Sequence, residues 1–453
     1  MDIRPSIGVI SPYWDFWETA VDIDVRSAKS ELDQRCNKSI EAHGRIVWQV
    51  TADELGEHLP EVDLIIVIVQ MAVPPERVTT FLLQRPKSIN LVWAAHATPA
   101  IPEPFTHESI VVRGATVGAS MLSASLNRAA VVHDVVLGEP SSNSLVQRLE
   151  VAAAAGKIRG ATFSVIGDEL EGYDFVTAPQ AELDRLGINV RRHSPEEFAL
   201  RVRNVDPTAL DSYLETLEAA WHESTTAEGG KQAARYALAL RGLMEDDQSA
   251  AGAMNCHVLP LRNDPQGTGI APCFGLGCET SEGRPWTCTG DINTSLAMLF
   301  VSALGSPTFY HEMEAVDATT GEVIFANSGE HDSRFARQQP LRYSPNPWYP
   351  GPHPTPIANF QIAAGPATVV AISTINERLR AIVAEGEFTS RSAQSTGTMS
   401  AVFRFANSTG TEGWESWARA GAGHHSCATD THLSQSLEQL CKLLSIEFVQ
   451  VTS

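Results

Sequence analysis

No stretch of this 453-residue sequence holds the roughly 20 consecutive apolar residues that a bilayer-crossing helix needs, so no membrane partner is expected. Positive charge is scarce. Thirty-three Lys and Arg stand against 54 Asp and Glu, a formal net charge of −21. A surface that acidic repels nucleic acid and anionic lipid, so neither is an expected partner. The nucleotide-binding signatures are missing too. Gly114-Ala-Thr-Val-Gly118 lacks the three-glycine dinucleotide spacing, and neither a Walker lysine motif nor a Gly-x-Ser-x-Gly elbow occurs. Cysteines number seven, an odd count. Cys273, Cys278 and Cys288 fit no common zinc-finger spacing, and no paired histidine completes such a set. Met1-Asp-Ile-Arg-Pro5 does not resemble the start of a secretory signal, so reduced packing thiols in a cytoplasmic protein are expected. Internal repeats and low-complexity tracts are also absent.

What is present is an ordinary globular composition, 43% hydrophobic and 19% charged, in a chain long enough for two or three domains. The first third alternates strand and helix. Ser6–Ser11, Gly44–Val50, Asp63–Val69 and Ile89–Ala95 read as strands. The last two are continuous apolar runs, as in strands buried on both faces. Val25–His43 reads as a helix, and Pro74-Pro75 is expected in the first turn of another. This rhythm predicts a parallel sheet covered by helices. A second alternating block starts at Ala161–Gly167. It continues through a helix at Gln180–Leu186 stopped by Gly187, a strand at Ile188–Arg192, and helices at Ser194–Val202, Pro207–Trp221 and Lys231–Met244. The junction is expected within Gly138–Gly160.

After Gly305 the segments shorten and alternate between Gly, Pro and Asn, which predicts an antiparallel β domain. Expected strands are Thr308–Glu312, Glu322–Ala326, Thr368–Ser373, Leu379–Glu385 and Met399–Phe405. A helix at Leu433–Leu444 and a strand at Ile446–Val451 close the chain. Pro340–Pro356 carries seven prolines with Trp348 and Tyr349, so it is neither a central strand nor a helix. A loop that long is often functional, and a plain surface crossover is the other reading.

Six features in order carry a resemblance. They are Gly114–Gly118 through Arg128, Ala271-Pro-Cys-Phe-Gly-Leu276, the Thr289-Gly-Asp291 corner entering an apolar helix, the strand at Thr308–Glu312, Asn327-Ser-Gly329 before Glu330, and His424-His425 before a terminal helix. Together they resemble the L-arabinose/L-fucose isomerase family. The resemblance implies two doubly wound Rossmann-like α/β lobes followed by a C-terminal antiparallel β domain, with boundaries expected at 1–150, 151–305 and 306–453. It also implies a cytoplasmic homo-oligomer of carbohydrate metabolism. The implied chemistry is metal-assisted aldose–ketose interconversion, an intramolecular oxidoreduction, or related enolisation of a monosaccharide or derivative. A divalent cation, Mn²⁺ or Mg²⁺ or another, polarises the sugar oxygens while a carboxylate moves the proton.

Carried over, Glu330 matches an acidic metal ligand and proton-transfer residue, His425 the C-terminal histidine ligand, and Glu312 a looser acidic ligand. His424 is implied as a substrate contact and Asp291 as a capping or supporting acid. The histidine pair is expected to sit poorly in a core. Two positions depart from the pattern. Thr289 stands where the family has a metal-holding Glu, and a family histidine is replaced in Leu341-Arg-Tyr-Ser344. Glu279, Glu282, His311, His331 or His353 could compensate. The alternative is a sugar-binding protein without turnover. Trp14, Phe16 and Trp17 follow the first strand, where ligands of open α/β sheets bind, so Trp14 and Trp17 are candidates to stack on sugar. Core packing or a subunit contact is the other reading.

Overall fold

A computed structural model describes residues 4–21, 24–217, 220–221, 225–262, 267–327, 329–336, 341–349, 353–358, 360, 362–391 and 397–451. Ser328, Pro340, Pro350 and Pro352, read above within motifs or loops, lie outside these. The chain divides into two compact units. One is Met1–Arg159 with Ser436–Ser445, the other Gly160–Gln435 with Ile446–Ser453.

The first unit holds five parallel strands, β1 (Ser6–Ile10), β2 (Arg45–Val50), β3 (Leu64–Val69), β4 (Ile89–Ala95) and β5 (Asp134–Gly138), in the order β2-β1-β3-β4-β5. Every residue of β3 and β4 is buried, which explains their unbroken apolar character. The helix Val25–Glu41 is capped by Asp24, which accepts from Ser27 N at 2.9 Å. The helix after Pro74-Pro75 starts at Glu76, with Pro75 as its cap residue. The prolines therefore precede the first turn, instead of lying inside it as expected.

The second unit combines a parallel and an antiparallel sheet. Strands β6 (Thr162–Ile166), β7 (Asn189–His193), β8 (Ala251–Met254) and β9 (Trp286–Thr287) run parallel in the order β7-β6-β8-β9. Sequence reading missed β8 because Ala-Gly-Ala-Met is a poor strand former. Its glycine is required: a Cβ at Gly252 would fall 2.4 Å from the Trp286 ring. The remaining long strands are β10 (Phe309–Asp317), β11 (Glu322–Ala326), β14 (Gly365–Ile375), β15 (Arg378–Phe388), β16 (Ser400–Phe405), β17 (His425–Thr429) and β18 (Glu447–Gln450). Their order is β14-β17-β10-β11-β16-β15-β18, and β14 also pairs with β15. That pairing closes six antiparallel strands into a barrel, which leaves those six without a free edge. Parallel sheets followed by an antiparallel β region are the architecture expected from the sequence.

Phe309, Phe325, Phe388 and Phe403 fill the barrel core, with Phe325 and Phe403 stacked at 5.0 Å. Trp417 joins them from the helix Gly410–Arg419, which begins with a Thr409/Glu412 capping box. The proline-rich segment contributes only a two-stranded ribbon, β12 (Tyr343–Pro345) with β13 (Pro356–Ala358). Pro345 lies opposite Pro356, and a lone pair of strands tolerates missing N–H donors there.

Candidate active site

Two kinds of backbone meet at one place in the second unit. From the barrel, β10 and β17 pair antiparallel with Glu312 opposite His425. Directly opposed residues project from the same face, so this register alone brings the two side chains together. The carboxyl ends of β8 and β9 continue into Cys256-His257 and Cys288-Thr289. Ligands of parallel sheets bind at such ends. The helix Ile292–Ala303 packs on β14 and β17 and begins at Asp291.

Asp291 joins the two sources. Its Oδ1 accepts from the Thr294 N–H at 2.7 Å and its Oδ2 from the Thr294 hydroxyl at 2.8 Å, which fixes the carboxylate as a helix cap. The same Oδ2 lies 2.8 Å from His425 Nδ1, and His425 Nε2 lies 3.1 Å from Glu312 Oε1. His425 is thus a buried imidazole between two carboxylates. Burial alone would lower its pKa; hydrogen bonds and charge from Asp291 and Glu312 outweigh burial and raise it to about 9. Glu312 moves the other way, held below its ordinary range chiefly by the His425 hydrogen bond. His424 is exposed at one edge. Its ring lies 3.7 Å from that of His425 and meets Tyr173 and Phe175 edge-on at 5.3 and 5.6 Å. Burial of part of the ring and the neighbouring His425 lower its pKa, which favours the neutral form.

Ligand atoms of Glu312, His424 and His425 all lie within 4.8 Å of one another. The donor chemistry fits a divalent cation. A carboxylate and two imidazoles suit Mn²⁺-type ions, and an imidazole with Nδ1 anchored on a carboxylate offers Nε2 as a ligand.

The turn after β9 is strained. Thr289 adopts φ +57°, rare for a β-branched residue, and Gly290 follows at φ +75°. A Cβ on Gly290 would come within 2.7 Å of Glu169 Cα, so glycine is needed there. The Thr289 hydroxyl donates to the Cys288 carbonyl at 2.7 Å and is thereby committed. Beneath this turn Glu330 is 1% exposed. The Cys288 thiol donates to it, and its Oε2 has no hydrogen-bond partner among the described residues. Burial, with help from Cys256, raises the Glu330 pKa to about 7; its own backbone N–H, Cys288 and His425 oppose the shift. Cys256 is the alternative acceptor for the single Cys288 S–H, and that bond holds Cys256 below the ordinary thiol range against the effect of burial. His257 is raised by its bond to Cys256.

Glu312, His424 and His425 share a cavity of ≈ 220 Å³ with Cys288, Thr289, Trp348 and Tyr349. A second cavity of ≈ 280 Å³ shares His257, Trp348 and Tyr349 with it. A third, of ≈ 500 Å³, lies against Asp291, Asn293 and both histidines.

Residues 311–447, which carry Glu312, Glu330, His424 and His425, match the L-arabinose isomerase C-terminal domain family. Over 320 residues the chain is 22% identical to a sulfoquinovose isomerase of Priestia aryabhattai, covering 69% of this chain and 70% of the relative. A sulfoquinovose isomerase of Priestia megaterium matches to the same extent. The C-terminal part of the chain is thus similar to arabinose isomerases, and the chain more widely has a distant likeness to sugar isomerases.

In this chain the residues expected at the site have separate fates. Glu312 and His425 come together with His424, and Asp291 both caps and supports. Glu330 stands outside the group of three donors. The expectation that both histidines avoid the core holds only for His424; His425 is 5% exposed and tolerated there because both ring nitrogens have acidic partners. None of the suggested compensating residues joins the three donors among the described residues. Glu279 is buried between Arg241 and Arg284. His311 bonds Ser426 and stacks on Phe325 at 4.0 Å, and burial pushes its pKa down to about 4. His331 accepts from Met399 N at 3.3 Å, with burial pushing its pKa down to about 3. Trp14 and Trp17 belong to the other unit. They pack on each other and on Phe16, and Trp17 Nε1 donates to Ala72 O at 2.8 Å.

Sequence reading did not assign Cys256, His257, Cys288, Tyr173 or Phe175 to the site. Cys256, His257 and Cys288 follow the short strands β8 and β9, which the sequence does not announce, and Tyr173 and Phe175 lie on the segment after β6, which it does. Trp348 and Tyr349 were legible as aromatic residues in a long proline-rich loop, read as either functional or a plain crossover, and they line the cavity.

Proposed function

We propose that this protein is an aldose–ketose isomerase acting on a monosaccharide or a monosaccharide derivative. The observation that carries the reading is the convergence of Glu312, His424 and His425, with Asp291 orienting His425 from behind. We assign Glu312, His424 and His425 to holding a divalent cation, Mn²⁺ or Mg²⁺. When bound, the cation supplies polarisation of the carbonyl and hydroxyl oxygens of an open-chain sugar.

The chain's own groups do the rest. Asp291 keeps the His425 Nδ1 proton in place, so that Nε2 faces the cavity. Glu330, with a pKa of about 7, is close to half ionised at neutral pH, the condition under which a carboxyl both takes and returns a proton. Its path to the cavity runs through the Cys288 thiol, which bonds to it and lines the wall. Trp348 and Tyr349 line the cavity and give it an apolar wall beside the reacting carbons. We also read the β2-β1-β3-β4-β5 sheet and its four-stranded counterpart as the doubly wound lobes of this fold. The same proposal includes a homo-oligomer in the cytoplasm.

The relatives named sulfoquinovose isomerases make that sugar the first to test, beside L-arabinose and L-fucose. Protein loaded with Mn²⁺ is expected to convert at least one of them to its ketose, read by chromatography or NMR. No conversion of any sugar would overturn the reading. The alternative, a sugar-binding protein without turnover, is favoured by one observation: Thr289 offers no base, and its hydroxyl is tied to the Cys288 carbonyl. Binding of a sugar without conversion would establish that alternative.

A further inference from the structure

The cavity that holds Glu312, His424 and His425 measures ≈ 220 Å³, below the roughly 300 Å³ at which ordinary small-molecule pockets begin. An open-chain sugar that places its carbonyl end there must extend elsewhere. The ≈ 280 Å³ cavity is its neighbour, with His257, Trp348 and Tyr349 lining both. The two differ in charge. Glu312 lines the first, whereas no Asp or Glu is among the described residues lining the second, which contains Arg262 and His257 instead. In a chain of net charge −21 a cavity whose described wall holds an arginine and no acid is a local reversal of sign.

Arg262 is oriented for use. Its Nε donates to the His257 carbonyl, which anchors the guanidinium beside the imidazole; among the described residues no carboxylate pairs with it. The His257 ring is itself disposed to carry a proton by Cys256, and Glu330 is the acid that it feels. The helix Cys273–Ser281 starts on the same wall without a side-chain cap, which adds partial positive charge but would not suffice alone.

We propose that the Arg262/His257 cavity receives an anionic substituent on the end of the sugar remote from its carbonyl, so that the substrate is an acidic monosaccharide derivative. A planar guanidinium recognises sulfonate, carboxylate and phosphate alike, in bidentate fashion. This inference deepens the isomerase reading and rests on the same site.

The experiment compares four sugars of one stereochemical series that differ at C6: glucose, glucuronate, glucose 6-phosphate and sulfoquinovose. Turnover is measured with the Mn²⁺-loaded wild type, Arg262→Met and Arg262→Lys, and binding of the same sugars by calorimetry. One charged sugar is expected to exceed glucose in kcat/KM by about tenfold or more, and which one identifies the anion. Arg262→Met is expected to remove that advantage, mainly through KM, with glucose unaffected and partial recovery in Arg262→Lys. If no sugar is converted, the isomerase reading fails by itself. Calorimetry then still decides the subsite, by whether a charged sugar binds more tightly than glucose and loses that margin in Arg262→Met. Equal binding of charged and neutral sugars, or equal losses for both in Arg262→Met, overturns the proposal.

Discussion

The barrel side and the turn side of the site are built on different principles. On the barrel side, Glu312 and His425 face each other because β10 and β17 pair in one register. A one-residue slip of either strand would put the two on opposite faces, so the geometry is as secure as the sheet itself. On the turn side, Cys256, His257, Cys288 and Thr289 sit on irregular backbone just beyond short strands, and one of them is held at a left-handed φ. Of the two positions that depart from the resembled pattern, Thr289 falls on the turn side and Ser344 on the ribbon strand β12, whereas Glu312, His424 and His425 lie together on the barrel side. The difference teaches that strand register fixes where side chains meet more firmly than a strand-end turn does.

This contrast can be broken in four ways. The largest effect is expected on the barrel side. His425→Ala removes a donor and leaves Asp291 and Glu312 facing each other without a cation. Loss of a Lewis acid worth several kcal/mol should lower kcat/KM by about 10³-fold or more in a steady-state assay on the sugar found to turn over. Glu330→Gln should cost about 10²-fold in kcat and remove the acidic limb of the pH–rate profile, which the wild type should show near pH 7.

The same variant has a stability signature. A carboxyl whose pKa is raised from about 4.5 to about 7 on folding costs nothing below the lower value, where both states are protonated. It costs progressively more as pH rises through that window. Metal-free Glu330→Gln should therefore gain about 3 kcal/mol over wild type at pH 8 relative to pH 4, seen as a change in the Tm difference.

Asp291→Asn keeps the helix cap but no longer holds the His425 proton as firmly. A 10–100-fold loss of Mn²⁺ affinity is expected by calorimetry, the range found when the group behind a ligating histidine is altered. The smallest effect belongs to the turn. Thr289→Gly relieves a left-handed β-branched residue and should raise stability by about 1 kcal/mol, with kcat changed less than about twofold. A large loss of activity in Thr289→Gly would mean that the turn side contributes more than its shape.

How much of this could be read beforehand follows from where the information resides. The strands β3 and β4 announce themselves through apolar, β-branched runs, and the helix Gln180–Leu186 through Gly187, which takes up φ +70° at its end. Strand β17 was not legible. His-Ser-Cys-Ala-Thr has neither alternation nor bulk, and its polar residues are buried because partners from β10 and from Asp291 satisfy them. The helix Gly410–Arg419 was missed although Thr409 and Glu412 form a capping box, since two glycines in ten residues argue against it. For the site, His424-His425 and Glu312 stand out as residue types in a resembling order. Their mutual contact depends on strand register between distant segments, which no local pattern encodes. The Cys256–Cys288 link has the same cause, being made across the parallel pair β8 and β9.

The most direct test is a Mn²⁺ titration of the metal-free wild type, Glu312→Ala and His425→Ala, followed by electron paramagnetic resonance and elemental analysis. The wild type should bind about one Mn²⁺ per chain, and both variants should lose it while retaining wild-type circular dichroism. A wild type that binds no Mn²⁺, or variants that bind it as well as the wild type does, would contradict the assignment of the cation to Glu312, His424 and His425.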